Sequence, residues 1–83
     1  MSESMTTYSR YVEEADTLYT QLTTLELCQC AVFDHISRYG EQFNKLTVEE
    51  VLLTINELEV NVRLELLHVR MAKAFLSNDM KQI

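Results

Sequence analysis

Apolar residues recur at helical spacing along nearly the whole chain. In the first third, Tyr8, Tyr11, Val12, Ala15, Leu18, Tyr19 and Leu22 form one stripe, while Arg10, Glu13, Glu14 and Asp16 lie mainly away from it. This predicts a helix over about 8–22. Thr23-Thr24-Leu25-Glu26 has the form of a capping box, so a second helix over about 24–39 is expected, with one continuous helix from Tyr8 to Tyr39 as the alternative. Its stripe is Leu25, Cys28, Val32, Ile36 and Tyr39, widened by Leu27, Ala31 and Phe33. Gly40 stands where a helix end favours a residue at ease in the left-handed conformation, and Glu41 to Lys45 reads as a loop.

The restart is marked by Thr47-Val48-Glu49-Glu50, a capping box with Thr47 as cap and Leu46 and Val51 placed as a hydrophobic staple. A helix over about 48–59 follows, then a bend at Val60-Asn61 and a last helix over about 62–77. The alternative is a single helix from Val48 to Ser77, about 45 Å long at 1.5 Å per residue. The last helix carries two stripes. Leu64, Leu67, Met71 and Phe75 are assigned to the domain's own core, and Val62, Leu66, Val69 and Leu76 to a dimer interface with a second subunit. Lys73 falls within the second stripe and is expected to snorkel out of it. The fold expected is all-α: a small bundle of three or four helices, completed by homodimerisation.

Composition supports one domain spanning residues 1–83, with residues 1–6 disordered. The 83 residues include one Gly and no Pro, which removes the usual punctuation of turns and hairpins. A chain this short buries only ~60% of its unfolded surface, so association adds useful buried area. Thirteen acidic against seven basic side chains give a net charge of −6, most of it in the first 34 residues. That balance disfavours coating a nucleic-acid duplex, which relies on Lys and Arg. No apolar run reaches the roughly 18 residues of a membrane span, and Met1-Ser2-Glu3-Ser4 lacks the basic start of a signal peptide; a cytoplasmic protein is expected.

Candidate chemistry is sparse. Cys28 and Cys30, two apart on a helix, point to nearly opposite sides, so they neither pair nor share a metal, and they read as reduced, partly buried small hydrophobes. His35 and His68 belong to no metal-binding spacing, and a single Gly rules out the glycine-rich phosphate loops. Cys30 with His35 lacks a third orienting group for nucleophilic catalysis. No catalytic, cofactor or metal residue is assigned, and the chain is expected not to be an enzyme. Tyr8 and Tyr11, with the acidic Glu13, Glu14 and Asp16, are instead assigned to partner binding, since Tyr anchors interfaces and the acids suit a basic or regulatory protein.

The run Val32, Ile36, Gly40, then Leu46, Val51-Leu52-Leu53, Ile55, Leu58-Glu59, and finally Arg70 with Phe75-Leu76 and Asn78-Asp79-Met80 resembles the YmgB/AriR family of small enterobacterial regulators, over about residues 25–80. The resemblance implies a helical homodimer acting in stress adaptation, biofilm control or acid resistance through protein partners. It carries no functional residue by motif. The function expected is therefore that of a non-enzymatic regulator working by protein–protein interaction. The alternatives are an acidic DNA mimic of the phage-inhibitor kind and a small chaperone covering a partner helix.

Overall fold

Two long helices lie side by side, antiparallel, in the computed structural model, which describes residues 2–81. Helix α1 spans Ser2–Tyr39, a 3₁₀ turn covers Gly40–Gln42, and helix α2 spans Lys45–Lys81. The rod they form measures 63 × 15 × 14 Å. This all-α hairpin replaces the expected bundle of three or four helices.

Neither expected break occurs. Helix α1 runs on through Thr23, the expected cap, and the neighbouring Thr24 hydroxyl donates back to the carbonyl of Thr20 at 2.9 Å, as Thr17 does to Glu13 and Thr20 to Asp16. Such back-bonding satisfies the hydroxyl inside a continuous helix. At Val60-Asn61, α2 likewise runs on uninterrupted. Helix α1 begins at Ser2 and so takes in residues 2–6 of the segment expected to be disordered; Met1 lies outside the described residues.

The turn differs from expectation in detail. Gly40 does not adopt a left-handed conformation; no described residue has positive φ. It opens the 3₁₀ turn instead, its carbonyl accepting from the Phe43 amide at 3.1 Å. The cap of α2 is Asn44 rather than Thr47: the Asn44 Oδ1 accepts from the Thr47 amide at 3.0 Å and from the Thr47 hydroxyl at 3.2 Å. An Asn at this position satisfies helix-start donors as Ser or Thr would. Leu46 is accordingly 73% exposed and makes no staple. Phe43, just before the cap, shares an apolar groove with Val48, which is the pairing a staple requires.

The seam between the helices follows a heptad. On α1 the least exposed positions include Tyr11, Ala15, Leu18, Leu22, Leu25, Gln29, Val32 and Ile36; on α2 they include Val48, Leu52, Ile55, Glu59, Val62, Leu66, Val69 and Leu76. Alternating steps of four and three average 3.5 residues per turn, the period that keeps one face of each helix against its neighbour. Ala15, Leu18 and Leu66 are buried, with Val62 and Val69 packed against them.

This reverses the assignment of the two stripes. Leu66, at 6% exposure, with Val62 and Val69 packed against it, belongs to the chain's own core, and Leu76 lies half-buried on the same seam, so the stripe expected to join subunits lines the seam between α1 and α2. Leu64, Leu67, Met71 and Phe75, expected inside, are each at least half exposed. The physical reason is register: only the stripe containing Leu66 continues the heptad from Val48, Leu52 and Ile55 and so faces α1 along its whole length.

Candidate interaction surfaces

A hairpin of two helices has one internal seam and two long sides. On the first side, α1 contributes the residues that directly follow its seam positions: Met5, Val12, Tyr19, Glu26 and Phe33. From α2 come the residues that follow Val48, Ile55, Val62 and Val69, namely Glu49, Asn56, Arg63 and Arg70. That the two rows share a side is fixed by an ion pair, Arg63 Nη2 standing 3.8 Å from Glu26 Oε1. One helical turn beyond the α2 row lie Leu53, Val60 and Leu67, with Leu46 at the near end and Ala74 at the far end.

The side therefore carries two apolar ridges separated by a polar row. Met5, Val12, Tyr19 and Phe33 form the ridge on α1, and Leu46, Leu53, Val60 and Leu67 the ridge on α2. All eight are exposed, and they are half of the large apolar side chains that the described hairpin leaves outside. Leu64 and Met71 extend the second ridge around α2. Scattered exposed Leu needs no explanation, but here the exposed apolar side chains are aligned in two ridges flanking a polar row on one side of the hairpin.

Beneath the polar row sits the one buried charged side chain among the described residues. Glu59, 4% exposed, occupies a seam position; Arg63 Nη2 donates to its Oε2 at 3.4 Å, while its Oε1 is buried with no hydrogen-bond partner. At 3.4 Å the bond is long and weak. Arg63 is thus shared between Glu59 and Glu26, leaning from the seam toward solvent.

The opposite side is different in character. A shallow groove of about 590 Å³ is lined there by Arg10, Glu13, Glu14, Gln21, Glu65 and His68. It brings two of the residues assigned to partner binding, Glu13 and Glu14, together with Glu65 and His68 from α2, neither of which their sequence distance made visible. Asp16 is exposed but lies outside this groove, and Tyr8 and Tyr11 are half-buried toward the seam rather than displayed beside the acids. The expected tyrosine–acid constellation is not one surface. Tyr19, which the sequence places in the same apolar stripe as Tyr8 and Tyr11, instead stands exposed on the ridged side.

The remaining candidate residues are not brought together. Cys28 and Cys30 are free thiols and both are exposed, not partly buried. His35 packs against rings at the turn, 5.4 Å from Tyr39 and 6.1 Å from Phe43 between centroids. His68 lies in the acidic groove, and no cluster of three metal-ligating side chains occurs among the described residues. No described helix is long and apolar enough to cross a membrane. No protein-family model, curated protein or solved structure matches the chain.

Proposed function

We propose that this chain is a non-enzymatic interaction module, a rigid helical hairpin that works by presenting one apolar side to protein partners. The observation that carries the reading is the pair of ridges, Met5 to Phe33 on α1 and Leu46 to Leu67 on α2, held outside a seam that is already filled. Leaving about half of each such side chain in water forgoes roughly 25 cal/mol for every Å² that a partner would cover. The acidic groove on the other side supplies a separate place for a basic segment of a regulated protein, so one hairpin is able to bridge two contacts. A regulatory role in stress adaptation, biofilm control or acid resistance extends this proposal on the strength of the resemblance at residues 25–80 alone.

The test is a comparison of the wild-type chain with Leu53→Lys and Leu67→Lys. Both positions point away from the seam, so helicity should be retained, while the set of proteins cross-linked to the hairpin in cells should shrink sharply. An unchanged cross-linking pattern in both variants rules the reading out.

A further inference from the structure

We infer that the ridged side is covered by a second copy of this chain, packed antiparallel so that the two α2 helices meet about a two-fold axis at Val60. The inference rests on the proposed reading of that side as an interface and adds its occupant.

Three observations lead to it. The first is size: the α2 ridge, with Leu64 and Met71 beside it, presents on the order of 600 Å² at the exposures it shows, so two copies bury about 1,200 Å², the lower end of the standard range. The second is self-complementarity of the α2 ridge. Reversing the helix about Val60 sets Val60 beside its own copy, Leu53 opposite Leu67 and Leu46 opposite Ala74, so an apolar side chain meets an apolar side chain at every step.

The third observation is charge, and it selects the orientation. The polar row runs Glu49, Asn56, Arg63, Arg70, acidic toward the turn and basic toward the open end. The same reversal brings Glu49 within one residue of the position facing Arg70 of the second copy, and Asn56 within one residue of the position facing Arg63, close enough for long side chains to meet. A parallel arrangement would set Arg63 against Arg63 and Arg70 against Arg70, which costs energy at any buried rim. Arg63 is engaged by Glu26 and Glu59, but neither Glu49 nor Arg70 has an ion-pair partner within the described hairpin. Each lacks what the other copy carries beside the facing position. A foreign helix would need to bring the same stripe and the same charge gradient, whereas a second copy has both by construction.

Sedimentation equilibrium of the full chain at micromolar concentration should give twice 9.7 kDa. Leu67→Lys should return it to a monomer with unchanged helicity, and Leu67→Gln serves the same purpose should the lysine variant lose helix. Arg70→Glu and Glu49→Arg should each weaken the dimer roughly tenfold, and combining them should restore it. In a Cys28→Ser, Cys30→Ser background, Val60→Cys should cross-link spontaneously across the axis while Thr54→Cys, which points to the acidic side, should not. A monomeric wild type, or charge reversals without effect and without mutual rescue, overturns the self-pairing. The wider interaction reading survives that result when Leu53→Lys and Leu67→Lys still abolish cross-linking to other proteins, and falls with it when they do not.

Discussion

Glu59 is held where the heptad asks for an apolar side chain, with one carboxylate oxygen bonded weakly to Arg63 and the other bonded to nothing. Burying a charge this poorly compensated costs more than the single contact returns. Glu59→Leu should therefore raise the unfolding free energy by about 1–3 kcal/mol, measured by urea denaturation, because Arg63 keeps Glu26 as its partner at the surface. A loss of stability would mean that the buried carboxylate has a partner the hairpin alone does not show. Gly40 offers the opposite case. Its backbone needs no glycine, and a Cβ there would meet only Ile36 Cγ2 at an ordinary 3.5 Å. Gly40→Ala should stabilise by about 0.4–1 kcal/mol, chiefly by restricting the unfolded chain, and the same denaturation curves check it.

At the scale of the helices, the seam has one well-buried region, where Leu66 of α2 meets Ala15 and Leu18 of α1. In solutions dilute enough to hold the chain as a monomer, Leu66→Ala should cost about 2–4 kcal/mol, against less than ~0.5 kcal/mol for Leu67→Ala one residue later, and thermal melts of the two variants separate them. A smaller gap would contradict the seam described here. The same two residues show what the sequence made legible. That the chain is helical throughout, and that α2 bears two apolar stripes, follows from spacing and from the absence of Pro. Which stripe faces inward does not, because Leu66 and Leu67 are equally good leucines and only the match to the partner helix decides. Glu59 obscured that match further by interrupting the inward stripe with a charge. The threonines misled in the same way: Thr23-Thr24-Leu25-Glu26 fits a helix start locally with Thr23 as cap, yet the helix runs straight through it, and the adjacent Thr24 hydroxyl is satisfied by a carbonyl one turn back. The interaction surface was legible only as an excess of apolar helix, since its two ridges come from segments that the fold alone sets side by side.

For the molecule as a whole, a hairpin with a single seam cannot shield both faces of α2, so its stability should depend on association. The melting temperature should rise with protein concentration in the wild type and become independent of it in Leu67→Lys, as mass action requires when only the folded state self-associates. A concentration-independent wild-type melt would count against association altogether. The placement of the buried cluster has a kinetic consequence as well. Ala15, Leu18 and Leu66 lie far along the rod from the 3₁₀ turn, so the chain must close a long loop before its best contact forms, and each doubling of that loop adds about 0.6 kcal/mol to the cost. Zippering from the turn is the cheapest route, with the reward arriving late. Stiffening the turn through Gly40→Ala should then accelerate refolding, whereas Leu66→Ala should mainly accelerate unfolding, a division visible in the two limbs of a chevron plot.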